Sequence, residues 1–532
     1  MYFIKVYRRI QRVCCHRWII FRLFNSRLYY KYIIETLTVL QRVLYNSESM
    51  AAVDLLPMTI DKELFLTSGG INLKRFFGDK AFYKMVIAIA VPVMVQNGIT
   101  NLVSLLDNIM VGQIGTEQMS GVANVNQLIF IYFLSVFGGM SGVGIFTAQY
   151  YGYKDDEGIR HTFRYKLWLG VAIVAFALLI FLTIGPDLIQ MYLNGNKDGG
   201  DLAAAKRYGV SYLRVILISL PAILMTQLYA STLRECGQTR VPMIASLTAV
   251  CVNLVFNYIL IFGHFGFPKL GVIGAAIATV ISRYVEMIVI IVYSMRHTHE
   301  HTYFKGIYKT LKVPKHLAEK FFKTGMPILV NEALWSLGVA LLAWAYSARG
   351  LNVVAGQNIA NTVNNIFNVA FIAMGDAVAI LVGQALGSGE IEKAKDWSRK
   401  LTVCGMISAL VMGSIMLSTS GLFPQIYNTN AQAKHIATLF ITVQAIAMTK
   451  DAFLHCTYFT LRSGGKTFIT FLFDSVFMLT VSVPIAYVLS NYTNIHVALV
   501  FALVHAADLL KCLIGFILIK KGVWAKNIVK DN

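Results

Sequence analysis

Charge is the scarcest ingredient of this sequence: 14% of its 532 residues are Asp, Glu, Lys or Arg, while 56% are hydrophobic. A soluble chain cannot bury that much apolar side chain or stay dispersed on so few charges, so a water-soluble fold is excluded. Proline is sparse, ten in all, and the seven cysteines show no paired spacing. Five of them, Cys236, Cys251, Cys404, Cys456 and Cys512, lie in or beside apolar stretches, where cysteine acts as a small buried hydrophobe. Neither a disulfide framework nor a metal site is indicated. No paired His/Asp constellation and no polar catalytic domain favours an enzyme, and no cofactor motif is present.

What the chain does have is long apolar runs. Twelve are long enough to cross a bilayer core, which takes roughly 20 residues per helix. They fall at about 85–109, 124–147, 167–184, 212–230, 243–262, 272–293, 327–347, 359–382, 401–417, 436–459, 468–489 and 497–519. The expected fold is therefore an all-α integral membrane protein whose natural surroundings are the lipid bilayer.

A net charge of +20 would suit a nucleic-acid partner, but its placement argues against one. Twelve spans put both termini on one side, and the loops and ends of that side carry 27 lysines and arginines. The opposite loops carry six: Lys197, Lys206, Arg207, Lys269, Arg349 and Lys434. Such asymmetry predicts that both termini are cytoplasmic, in a multi-pass protein of the cell's inner membrane. Residues 1–72 form a basic extension read as lying outside the fold. Either translation starts at Met50 or Met58, or the segment lies on the membrane surface as a basic amphipathic stretch.

The chain matches itself. At an offset of 235, Pro92 meets Pro327, Gly115 meets Gly350, Gln149 meets Gln384, Gly152 meets Gly387 and Glu157 meets Glu392. At an offset of 228, Thr232-Leu233-Arg234 with Gly237 meets Thr460-Leu461-Arg462 with Gly465. Two pseudo-symmetric six-helix bundles are expected, an amino lobe over 73–293 and a carboxyl lobe over 327–519. A cytoplasmic linker spans 294–326 and a tail spans 520–532. Two such bundles suit rocking about a midplane cavity better than a fixed pore. Gly465-Lys466-Thr467 ends like a phosphate-binding loop, yet position 460 is Thr instead of the required glycine, so it reads as a turn. Without an ATP site, energy has to come from an ion gradient.

Repeat-matched residues build the bundles, so polar residues present in one half alone point to function. Asp107 lies in the first span and its twin is Leu342. A carboxylate in a bilayer costs at least about 2.5 kcal/mol and needs a cavity or a partner. Asn253 and Asn257 share one face of the fifth span, and Thr279 lies in the sixth; their twins are Val481, Ile485 and Ala507. These oxygens suit a hard cation, although Asn and Thr also join membrane helices. Glu332 and Asp451 are the second-lobe acids, the latter beside Lys450. Asp376, Asp474, His455, His505, Asp508 with Lys511, and Arg283 with Glu286 complete the intramembrane polar set. Trp335, Trp344, Tyr346 and Phe367 suit either packing or an organic cation.

Pro92, Leu106-Asp107-Asn108-Ile109-Met110-Val111-Gly112 and Gly115 resemble the first helix of the MATE multidrug and toxic compound extrusion family, in its bacterial NorM and DinF branches. Asn253 through Gly263, Gly274 through Thr279, and Val382 through Gly387 are similar to its fifth, sixth and eighth helices. The resemblance runs from about Leu73 to Lys521. It implies the two-lobed fold of the MOP superfamily and export of drugs, often organic cations, by a monomer in exchange for H⁺ or Na⁺. Asp107, Asn253, Asn257 and Thr279 would bind the coupling cation, and Pro92 would let the first helix bend. Some relatives have Asp at the position of Asn257. Asp451 falls where the NorM branch has a tenth-helix acid, whereas the seventh-helix acid of that branch would fall at Trp335, one turn after Glu332. The alternative is a flippase for lipid-linked oligosaccharides or another metabolite exporter of the same superfamily.

Overall fold

The computed structural model describes residues 76–194, 201–427 and 429–530, so the basic extension at 1–72 lies outside the described residues. Residues Lys74–Asn532 form one compact unit. Among the described residues, twelve helices are long and apolar enough to cross a membrane. The first six are α1 (Lys80–Gly112), α2 (Thr116–Tyr153), α3 (Asp156–Thr183), α4 (Leu202–Glu235), α5 (Arg240–Phe262) and α6 (Val272–Arg296). The second six are α7 (Lys315–Ser347), α8 (Leu351–Phe367 continuing as Val369–Gly387), α9 (Ile391–Ser418), α10 (Ala431–Ser463), α11 (Thr467–Tyr492) and α12 (Val497–Lys521).

Many helices overrun the apolar runs that announce them. Helix α2 starts at Thr116, ahead of the apolar stretch near 124, and α7 starts at Lys315, ahead of Pro327. A helix keeps its hydrogen bonds beyond the bilayer core, so its polar shoulders carry no hydropathy signal. Local chemistry sets several ends. Asp155, Asp201 and Asn430 accept at 2.9, 2.9 and 2.8 Å from backbone N–H groups three residues on, capping α3, α4 and α10. Gly465 turns at φ 76° between α10 and α11, as its twin Gly237 does at φ 84° between α4 and α5, so the sequence resembling a phosphate loop is a turn. Within α11 the coil widens to five-residue turns over Leu472–Val476 and Met478–Ser482.

The end of the molecule that carries Lys80, Lys154, Lys393 and Lys466, here the basic end, joins the two bundles by a reciprocal lock. Gln149 on α2 donates to the Ser463 carbonyl at 2.8 Å, while its twin Gln384 on α8 donates to the Glu235 carbonyl at 2.9 Å. Ser463 is itself the twin of Glu235, at the offset of 228. The matched glycines make the approach possible. A Cβ on Gly152 would lie 2.0 Å from the Gln384 carbonyl oxygen, and one on Gly387 would lie 1.9 Å from that of Gln149. Higher up the same seam, a Cβ on Gly142 would meet the Gly325 backbone at 2.6 Å.

Chain segments outside the spans reinforce this end. Residues 301–311, between α6 and α7, lie against the amino bundle: Arg164 and Trp168 donate to the carbonyls of Ile307 and Leu311 at 3.1 and 3.0 Å. Tyr303, Phe304 and Ile307 are buried there. After α12 the tail turns back over the seam. Asn527 donates to the Gly387 carbonyl at 2.9 Å, the Ile528 N–H donates to Gln149 Oε1 at 2.8 Å, and Trp524 is buried beside Gly464. Trp524 packs with Phe82 and Leu461, whereas Val529 packs with the core of the amino bundle.

Two outcomes follow from this packing. Trp524→Ala should destabilise the protein by about 3 kcal/mol, read as a lowered thermal midpoint in detergent. Gly387→Val should wedge the basic end apart, lengthening the distance between spin labels on Lys154 and Lys393; an unchanged distance distribution would count against the lock.

Candidate functional site

Asp107, Asn253, Asn257 and Thr279 come from three helices, α1, α5 and α6, and meet in the half of the molecule remote from the basic end. Helix α1 is 33 residues long, and Asp107 lies in its last third instead of at its centre. Asn253 and Asn257, four residues apart, point from one face of α5 and are 6% and 2% exposed. Asn257 donates to Asp107 Oδ1 at 2.7 Å and to Asn253 Oδ1 at 3.0 Å. Asn253 in turn donates to Thr279 Oγ1 at 3.4 Å. Helix α1 is continuous through Pro92.

The Asn253 amide has two competing orientations in this cluster. Turning the Asn253 amide over lets it donate to both Asp107 oxygens, at 2.9 and 3.2 Å, but then sets its NH2 3.0 Å from the NH2 of Asn257. In the unturned arrangement the buried Asn257 Oδ1 has no partner. Two amides and a carboxylate therefore have more acceptor oxygen facing inward than they have donors to meet it. Among the described residues Asp107 forms no ion pair. Arg283 is close enough to act on it electrostatically, yet its guanidinium is held by Glu286 at 2.9 Å. Tyr212, buried on α4, donates to Asn126 at 3.3 Å beside Thr279. It carries no charge and sits in an aromatic-rich stretch, so only its place in space marks it.

The second-lobe acids behave differently: each lies beside a base. Glu332 accepts from the buried Arg462 at 2.8 Å, and Arg462 also stacks on the Tyr458 ring and bonds its hydroxyl. Asn331 extends this network, donating to Tyr458 at 2.6 Å and to Asp474 at 3.2 Å, while Ser475 donates to Asn331 at 2.7 Å. Asp474 and Ser475 lie in the widened stretch of α11. Asp451 is not part of that network. It bonds to its neighbour Lys450, which also reaches Asp508 at 3.2 Å, and Lys511 holds Asp508 from the other side at 3.0 Å. The structure thus separates Glu332 from Asp451. Asp376 faces Arg234, the twin of Arg462. A further pair, Lys166 with Glu235 at 2.5 Å, is buried at the basic end; Lys166 begins an apolar run and gives no sequence sign of its partner.

The four aromatics do not form one wall. Tyr346 and Phe367 are buried within the carboxyl bundle, and Trp344, largely exposed, stacks on Tyr487. His455 packs edge-on against Phe371 and Phe459.

Removing a partner from the Glu332–Arg462 pair leaves a buried charge unbalanced. Arg462→Ala should lower stability by roughly 3–5 kcal/mol, and the double variant Arg462→Met/Glu332→Gln should recover most of it in thermal unfolding.

Comparison with known proteins places these features. The MatE family profile matches residues 92–259 and 327–504, one segment in each bundle. The probable multidrug resistance protein YoeA of Bacillus subtilis is 25% identical over 422 residues, 76% of this chain and 87% of its own. The probable multidrug resistance protein NorM of Thermotoga maritima is 26% identical over 453 residues, 84% of this chain and 94% of its own. Among solved structures, a MATE in its bent conformation superposes with a TM-score of 0.73 at 20% identity, covering 85% of this chain and 98% of that one. An outward-facing multidrug resistance MATE transporter of the MOP superfamily gives 0.71 at 19%, covering 85% and 99%. With the family profile matched in both halves and the fold shared, the chain belongs to the MatE family, a family of membrane transporters and not of enzymes.

Proposed function

We propose that the protein is a secondary antiporter that exports organic cations across the cell membrane in exchange for a coupling cation bound by Asp107, Asn253, Asn257 and Thr279. The observation that carries this reading is the unfinished cluster at Asp107. A half-buried carboxylate in no ion pair among the described residues, beside a buried amide oxygen without a donor, lacks one positive charge and one oxygen-seeking partner. A cation supplies both. A proton would satisfy Asp107 alone, so the spare Asn257 oxygen favours Na⁺, which binds several oxygens at once.

The bundles over 73–293 and 327–519 are the moving bodies, joined by the linker at 294–326. With its lysines and arginines, the basic end faces the cytoplasm. The lock at Gln149 and Gln384 then closes the cytoplasmic mouth, and the Asp107 cluster lies on the external side of it. Entry of the cation from outside neutralises Asp107, bends α1 at Pro92 and expels a bound organic cation. Opening the lock returns the cation inward and readmits substrate. One monovalent cation exchanged for another moves no net charge, so the concentration gradient of the coupling cation supplies the energy, about 1.4 kcal/mol for each tenfold ratio.

In a bacterium stripped of its own pumps, the protein should lower ethidium accumulation, and Asp107→Asn should abolish this while protein abundance stays constant. Full efflux by that variant would refute the reading. Asn257→Ala should raise the Na⁺ needed for half-maximal efflux at least tenfold; an unchanged requirement would leave the proton as the coupling ion.

A further inference from the structure

Helices α10 and α12 carry a second group of potential cation ligands that the coupling reading does not use. Asp451, His505 and Asp508 bring one ligand atom each to within 4.8 Å of one another, an arrangement able to hold a metal ion. Their twins in the amino half are Ile223, Ile277 and Val280, so the repeat does not require them. The group is not open, however. The ammonium of Lys450 bonds Asp451 and lies 3.2 Å from Asp508, and the Lys511 ammonium lies 3.0 Å from Asp508. The Lys511 ammonium also lies 5.1 Å from the Phe477 ring centre. Two carboxylates and two ammonium groups balance, and the buried His505 Nδ1 has no hydrogen-bond partner.

We propose that Lys450 is a built-in counter-cation of the carboxyl lobe: its ammonium occupies the position a free metal ion would take among Asp451, His505 and Asp508. The inference rests on the antiport reading and deepens it, because it leaves the exchangeable cation to the Asp107 cluster and not to the Asp451 group. A free cation would have to displace the ammonium or share the group with it at a separation of about 4 Å. At an effective dielectric of 20, that repulsion weakens its binding by about a thousandfold. A tethered ammonium also suffers no loss of free translation on binding, so ordinary Na⁺ concentrations do not displace it. The twin of Lys450 is Ala222. The amino lobe thus keeps an acid without an ion pair at Asp107, whereas the carboxyl lobe carries its own cation.

The same charge pattern makes Lys450 a specificity-determining residue. A monovalent organic cation that reaches the second lobe meets Glu332, Asp451 and Asp508 already matched by Arg462, Lys450 and Lys511. Removing the Lys450 ammonium restores one net negative charge to that side of the cavity.

Equilibrium binding of radioactive Na⁺ to the purified full-length protein tests the proposal. Asp107→Asn should bind no Na⁺ at concentrations that saturate the parent, and Asp107→Asn/Lys450→Gln should gain one site per chain. Adding Asp451→Asn should remove that site, and Lys450→Arg in place of Gln should not create it. No gain with Lys450→Gln in a protein of unchanged elution and thermal midpoint would overturn the proposal. Asp451→Asn alone provides an arm that leaves Lys450 in place. It should leave the number of Na⁺ ions bound unchanged, and loss of one site would overturn the proposal even if Lys450→Gln failed to fold. Failure of the antiport reading is seen separately, as ethidium efflux indifferent to Asp107.

Discussion

The bonding of Asp107 to amides, with no ion pair among the described residues, organises the functional half of this protein. Asp107 is held by neutral amides, in a cluster where the Asn257 amide oxygen has no partner. For most other described acids inside the bundles, charge is answered by charge: Glu332 by Arg462, Asp508 by Lys511 and Lys450, Glu235 by Lys166 and Glu286 by Arg283. A low-dielectric interior penalises an unmatched charge heavily, so its persistence beside unsatisfied amides marks where a mobile charge belongs.

The backbone geometry at the basic end gives that charge something to act on. Gly152 and Gly387 allow α2 and α8 to cross with no side chain between them, and Gln149 and Gln384 stitch the crossing from both sides. The tail lies over the same seam, with Trp524 against Phe82 and Leu461, one from each half, and Val529 against the core of the amino bundle. Close glycine contacts, a few hydrogen bonds and ring packing such as Phe146 against Phe321 join the two bundles along this seam. The site and the seam lie toward opposite ends of the molecule, connected by α1.

Much of this was legible in the sequence because the bilayer enforces it. Twelve apolar runs became twelve helices, and the internal match of Gly152 with Gly387 and Gln149 with Gln384 proved to be a symmetric contact. Asp107, Asn253, Asn257 and Thr279 stood out since each is polar where its twin is apolar, and the structure brings all four together. Pairings were less legible. Glu332 and Asp451 read as one set of second-lobe acids, but their partners, Arg462 for one and Lys450 with Asp508 for the other, depend on helix rotation that hydropathy does not encode. Tyr212, Lys166 and the tail at Trp524 carry no periodic signal, and the role of each comes from neighbours far along the chain.

The most direct measurement is competition at equilibrium. Binding of a fluorescent organic cation to the purified protein, titrated with the coupling cation at constant ionic strength, should show mutual displacement that disappears when Asp107 is neutralised. Simultaneous binding of both, with affinities indifferent to one another and to Asp107, would contradict the account.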